Sequence, residues 1–186
     1  MRAIDSPRIE TERLVLTPMT IDDLDAYLEL HSDPDVIRFL GDMDRALAMA
    51  RLQKDAVLWE ERGYGLFSLT HRDGGRFLGR VGLRYWPQFD ETEVGWTLRP
   101  EEWGHGYATE AAVAVADWGF RTLPVPYLTS NIQPQNARSI AVAKRLGMTP
   151  LREDVLDGIS AVGGQVVDGI EAVIYAITRE AWAAPS

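Results

Sequence analysis

Trp103-Gly104-His105-Gly106-Tyr107-Ala108-Thr109 is the stretch on which the fold turns. Before it, Glu93-Val94-Gly95-Trp96-Thr97-Leu98 reads as a strand closed by Pro100, and after it Thr109 to Thr122 reads as an Ala/Val-rich helix. Gly104 and Gly106 let the backbone turn tightly and expose several N–H groups together. The helix start adds the positive end of its dipole. A strand, such a loop and a helix in that order suit a pyrophosphate, although Gly-x-Gly also serves ordinary turns. No Gly-Lys-Ser/Thr follows, so this is not a P-loop. There is no third glycine at dinucleotide spacing and the unit comes late in the chain, which argues against a Rossmann fingerprint.

Upstream, Asp73-Gly74-Gly75 is a turn signal between two strands, Tyr64 to Thr70 and Phe77 to Tyr85. Asp44 to Arg62 reads as a helix ended by Gly63, with Leu47, Ala50, Val57 and Leu58 as its expected buried face. Asp33-Pro34 starts a helical segment through Leu40, which restarts the one begun by Thr20-Ile21-Asp22-Asp23. Arg13-Leu14-Val15-Leu16-Thr17 alternates as a strand and is stopped by Pro18. Downstream, Tyr127 to Ser130 is a short strand. Asn136 to Leu146 is a helix with Asn136 as its cap and Gly147 as its stop. Met148 to Leu156 and Ile170 to Thr178 are the last strands, joined by a loop containing Gly158, Gly163, Gly164 and Gly169. The order β-α-α-β-β-β-α-β-α-β-β predicts an α/β (α+β) domain, a mixed sheet with helices on its faces.

The chain has 186 residues, 46% hydrophobic and 25% charged, enough for one full domain and its core. The absence of cysteine removes disulfides, thiolate metal sites and a cysteine nucleophile. It also fits a cytoplasmic setting. His31, His71 and His105 form no pair with metal-ligand spacing, so no metal is expected. No apolar run is long enough for a membrane span, and the N-terminus lacks the apolar core of a signal peptide. The net charge of -9 is a poor match for nucleic acid or an anionic membrane. The charge is uneven. Residues 20–62 carry 11 acids against 5 bases, while residues 125–152 carry Arg138, Lys144, Arg145 and Arg152 and no acid. An enzyme joining a cationic substrate to an anionic cofactor would use such a split.

Arg99-Pro100-Glu101-Glu102-Trp103-Gly104-His105-Gly106-Tyr107-Ala108-Thr109-Glu110-Ala111 resembles the acetyl-CoA loop of the GNAT N-acetyltransferases, whose pattern is Gln/Arg-x-x-Gly-x-Gly/Ala. Gly106 and Ala108 match its fourth and sixth positions. Trp103 stands at the first, as in the branch containing the ribosomal-protein N-terminal acetyltransferases. Asn131 to Met148 is similar to that branch's Asn-x-x-Ser…Lys-x-Leu-Gly-Phe segment, with Arg145 before Leu146-Gly147 and Met148 in place of the aromatic. Glu12-Arg13-Leu14-Val15-Leu16 resembles the family's first strand. The resemblance runs over residues 10–180 as a single domain.

The resemblance implies a mostly antiparallel central sheet with a splayed strand pair. Acetyl-CoA would enter there as co-substrate, its pantetheine arm pairing with backbone at Thr97, Leu98 and Asn131. Its phosphates would lie on the amides from Gly104 through His105, Gly106, Tyr107 and Ala108 to Thr109, with Trp103 at the loop's start. Asn136 would contact the cofactor, cap its helix, or do both. Ser139 would donate to the leaving thiolate, or be an ordinary helix-start serine. Glu93 would take the proton of the attacking amine, directly or through water, or be an exposed strand glutamate. Trp59, Phe67, Tyr85 and Trp86 would line an acceptor pocket or lie in the core. The implied activity is acetyl transfer to a primary amine by direct attack in a ternary complex. The rival is a non-catalytic domain that senses acyl-CoA, and a third option transfers a longer acyl group. The acidic 20–62 region favours a cationic acceptor: a protein N-terminus, a polyamine or an amino sugar. The oligomeric state stays open between monomer and homodimer.

Overall fold

The computed structural model describes residues 7–156, 161–162, 165–166 and 169–184. The chain opens with β1 (Ile9–Glu10) and β2 (Leu14–Pro18), followed by α1 (Leu24–Leu30), α2 (Pro34–Leu40) and α3 (Arg45–Arg62). A meander of β3 (Leu66–His71), β4 (Phe77–Trp86) and β5 (Glu91–Leu98) leads to α4 (Tyr107–Thr122). Then come β6 (Tyr127–Ile132), α5 (Ala137–Arg145), β7 (Thr149–Leu156), the short pair β8 (Ala161–Val162) and β9 (Gln165–Val166), β10 (Ile170–Thr178) and α6 (Arg179–Ala183).

Residues 20–40 form two helices rather than one restarted helix. Asp33 caps α2 through the Asp35 amide, and Pro34 occupies its first turn, so α1 ends at His31. The connection expected as a glycine loop carries β8 and β9; Gly158, Gly163 and Gly164 lie outside the described residues. β1 is too short to leave an alternation in the sequence, and it exists only by pairing with β2.

Eight strands form one sheet in the order β1-β2-β3-β4-β5-β6-β10-β7. All neighbours run antiparallel except β5 and β6, which are parallel and register only at Glu93 and Thr129. The sheet therefore opens at that pair. Period-two alternation sorts its faces. Phe67, Leu69, Val81, Leu83 and Val94 point to α4, where Ala111, Ala112, Val115 and Ala116 let the helix lie close. Leu66 and Ser68 point the other way, Leu66 against the cluster of Leu24, Tyr27, Ala48 and Leu52, and Ser68 to the carboxylate of Asp23.

α3 does not bury the face its apolar residues suggested. Ala50 and Val57 are exposed, Leu47 and Leu58 are half-buried, and Ala48, Leu52 and Asp55 point inward. Asp55 is held there because both its carboxylate oxygens accept the Leu66 amide, at 3.0 and 3.1 Å, where β3 begins. Burial pushes the Asp55 carboxyl from 3.8 up to about 6, against the Leu66 amide and the charge of Arg80. The folded state thus binds this proton more tightly than the unfolded chain. Stability from this group is present at acid pH and is lost as pH rises through about 6, a change of about 3 kcal/mol for such a shift. Urea unfolding across about pH 4 to 7 should show that loss, and Asp55→Asn should flatten it. An unchanged slope in the variant would assign the pH dependence elsewhere.

Candidate active site

The open seam between β5 and β6 continues into a cleft of about 930 Å³, within the size range of small-molecule and cofactor sites. Glu93, Thr97, Leu98, Trp103, Gly104, His105, Gly106, Tyr107, Ala108, Thr109, Asn131, Asn136 and Ser139 all line it. The sequence-derived candidates therefore share one cavity, although they lie on β5, α4, β6 and α5 and the loops between.

At one end, Gly104 and Gly106 have φ of +83° and +81°, a conformation that side chains rarely adopt. A Cβ at Gly104 would meet nothing within 4 Å, so this backbone faces open space. Gly106 is the N-cap of α4, and the first-turn amides of a helix have no intrahelical partner. The loop is fastened from behind. Arg13 donates to the His105 carbonyl at 2.9 Å and pairs with Glu110 at 2.6 Å, and the Thr11 hydroxyl also donates to Glu110 at 2.6 Å. Burial opposes ionisation of Glu110, but the Thr11 and Arg13 donors outweigh it and hold the carboxyl below its ordinary value. Neither Arg13 nor Glu110 stood out in the sequence as a site residue. Their contact joins positions 97 apart, and the sequence offered only that Arg13 lies in a family-like strand and Glu110 in the family-like loop segment. The Trp103 indole donates to the Leu98 carbonyl at 2.9 Å, and the Arg138 guanidinium lies 4.5 Å from its ring centre. His105 stacks on Tyr107.

The charge map needs correction here. Arg138 and Arg145 line the cleft, but Arg152 is turned to β5 and β7, bound to both oxygens of buried Glu91 and to Asp154. The acids of residues 20–62 do not converge on the cleft either. Asp35 is the one that lines it. Asp23, Asp25, Glu29 and Asp55 are engaged by Ser68, Arg45, Arg99 and the Leu66 amide. Local pairing, not regional charge, decides what a site sees. Of the four aromatics considered for an acceptor pocket, Trp86 lines the cleft. Trp59 and Phe67 pack with Trp118, and Tyr85 lies under Arg62 and donates to Asp90.

Deeper in, α5 begins at the cleft. Asn136 accepts the Ser139 amide at 3.2 Å, which caps the helix. The half-buried Ser139 hydroxyl makes no hydrogen bond among the described residues, so it is free to donate. Glu93 sits where the sheet opens. Its carboxylate accepts from the Trp86 indole at 2.5 Å and from the Asn131 amide at 3.1 Å. Burial raises its pKa, with Arg84, Trp86 and the Asn131 amide pulling the other way. The Asn131 amide is thus already used by Glu93, while both polar atoms of its side chain are buried without a partner. A carboxylate with a raised pKa that shares its cleft with a free hydroxyl and a helix N-terminus is equipped for proton transfer. Among the described residues there is no group of three or more His, Asp or Glu able to hold a metal, and no helix is long and apolar enough to cross a membrane.

The acetyltransferase (GNAT) domain family matches residues 13–149. The N-acetyltransferase YnaD of Bacillus subtilis, itself uncharacterised, is 29% identical over 94% of this chain and 98% of that protein. The acetyltransferase of Agrobacterium tumefaciens superposes with a TM-score of 0.74 at 34% identity, over 92% of this chain and 94% of that one. The ribosomal L7/L12 α-N-protein acetyltransferase RimL, in a structure that holds coenzyme A, shares the fold with a TM-score of 0.73 at 16% identity, over 94% and 99% of the two chains.

Proposed function

Because this chain belongs to the acetyltransferase (GNAT) domain family, we propose that it moves the acetyl group of acetyl-CoA onto a primary amine by direct attack in a ternary complex. What supports this most is the single-pair contact of β5 and β6, which leaves strand edges bare beside a cleft running from the Gly104–Gly106 loop to Glu93. The residues fit the co-substrate. Outward amides at a helix N-terminus, with Arg138 and Arg145 on the same wall, suit phosphates. The bare edges suit the amide-bearing pantetheine arm.

When bound, acetyl-CoA supplies a thioester whose carbon takes the amine nitrogen while its sulfur departs. The amine arrives as a cation and must lose a proton before it can attack. Glu93 accepts that proton at its carboxylate and passes it to solvent. Ser139 Oγ gives a proton to the departing sulfur from the start of α5, where the helix dipole also favours negative charge, and recovers the one that the nitrogen sheds as the amide forms. Trp86 and the Asn131 amide hold the Glu93 carboxylate in place.

Release of free thiol from acetyl-CoA, followed with and without a panel of primary amines, tests the proposal. Amine-dependent release supports it. Tight CoA binding with no amine-dependent release would favour the acyl-CoA sensor. The loop has its own test. Gly106→Val forces a branched side chain onto a φ of +81° and adds bulk 3.5 Å from Arg13. CoA affinity measured by calorimetry is expected to fall at least tenfold, about 1.4 kcal/mol, with the fold intact. An unchanged affinity in a folded variant would remove this loop from the site.

A further inference from the structure

The far end of the cleft, beyond Glu93, is floored by β4 and β5 and carries charge that the acetyl-transfer chemistry leaves unused. Arg80, Gly82 and Arg84 are alternate residues of β4 on the face opposite α4, and all three line the cleft. Gly82, between the two arginines on β4, is paired with Gly95 and packed against the backbone of Gly65 and Leu66, and the Glu93 carboxylate lies beside Gly95. Arg84 pairs in register with Glu93, but no ion pair or hydrogen bond joins them. Arg84 leans on the Trp86 ring, 4.5 Å from its centre, and is exposed to the cleft. Arg80 is half-buried, and its Nε is buried with no hydrogen-bond partner.

Neither arginine has a carboxylate, carbonyl or hydroxyl partner among the described residues. The neighbouring carboxylates compensate them only in part. Arg51 adds a third positive charge nearby. His31, wholly buried and close to Arg80 and Arg51, is driven down to about 3 by desolvation and those two charges, so it is neutral. Asp55 and Glu93 oppose the cluster, yet both are themselves raised by burial. The buried Arg80 Nε left without a partner is costly, and elsewhere in this chain Arg152 and Arg99 are matched by Glu91 and Glu29. An arginine fork matches a carboxylate in two parallel hydrogen bonds.

We propose that the acetyl acceptor is an amine that also carries a carboxylate, which docks on Arg84, with Arg80 further back on the same face of β4, in the cleft that Glu93 also lines. This rests on the acetyl-transfer proposal and narrows its acceptor to a zwitterion. The ammonium faces Glu93 and the carboxylate faces β4. Registered residues on neighbouring antiparallel strands are about 5 Å apart, so amine and carboxylate are separated by only a few bonds. An amino acid supplies this through its α-carboxylate, and a peptide N-terminus through an acidic side chain near it.

The test compares kcat/KM for free amino acids, their carboxamides, and amidated dipeptides with Glu or Gln in second place, at saturating acetyl-CoA. A preference for the carboxylate member of each pair of about tenfold to a hundredfold is expected, the strength of a charge-assisted hydrogen bond. The favoured arm tells an α-carboxylate from a side-chain one. Arg84→Gln and Arg80→Gln should erase the preference by raising the acceptor KM, with the acetyl-CoA KM unchanged. In parallel, N-acetylated amino acids and their N-acetylated amides are titrated calorimetrically into the CoA-loaded wild-type protein. Turnover of amines with no preference, or a preference for the neutral member, overturns the proposal and leaves acetyl transfer standing. Acetylated acids that bind better than their amides, in a protein that turns over no amine, uphold the arginine site and remove the transfer reaction. Absence of both turnover preference and differential binding overturns the arginine site.

Discussion

Glu93→Gln is expected to lower kcat/KM for the amine by about 10²-fold or more, the usual worth of a positioned proton acceptor. The cause is local. Glu93 is the carboxylate at the one register pair that joins β5 to β6, held by Trp86 and the Asn131 amide. Its raised pKa means that the base form appears at higher pH than for an ordinary glutamate. Activity of the wild-type protein should therefore climb with pH as Glu93 deprotonates, and again as the amine does. The Gln variant should lose the first of these limbs and keep the second. A glutamine amide cannot accept both existing hydrogen bonds as the carboxylate does, and an unsatisfied buried donor costs about 1–3 kcal/mol. The melting temperature and CoA affinity of the variant must therefore be measured beside its rate. A folded, CoA-binding variant with wild-type kcat/KM and an unchanged pH profile would take the base role from Glu93.

Ser139→Ala should lower kcat by a similar factor, about 10²-fold or more, with little change in the affinity for acetyl-CoA. The hydroxyl is the only part of Ser139 that the substitution removes. The Asn136 cap uses the Ser139 amide, so α5 keeps its start. A capping role and a catalytic role, indistinguishable in the sequence, are thereby separable: the cap survives alanine and proton donation does not. Wild-type kcat in Ser139→Ala would return the residue to an ordinary helix-start position. A loss confined to the acetyl-CoA KM would make it a binding residue instead.

Much of this protein is written locally. The glycines at 104 and 106, the Ala/Val helix behind them, the alternation of β2, β3, β4 and β5 and the Asn136 cap depend on neighbours within a few residues, where periodicity and turn chemistry act. That was enough to read most element types and the mixed sheet, while the residues that line the cleft followed from the family resemblance of the Arg99–Ala111 and Asn131–Met148 segments. What required the tertiary structure depends on partners far apart in the chain. The buried face of α3 is set by Asp55 meeting the Leu66 amide, not by which of its residues are apolar. Arg152 belongs to Glu91, 61 positions away, and Asp23, Asp25 and Glu29 belong to Ser68, Arg45 and Arg99. A count of charges along the chain cannot register this, because ion pairs act over a few ångströms and regional sums do not. The insertion of β10 between β6 and β7, the opening of the sheet at Glu93, and the placing of Arg84 in register with Glu93 beside that opening have the same origin. Each is a juxtaposition of strands, fixed by the burial of both sheet faces at once.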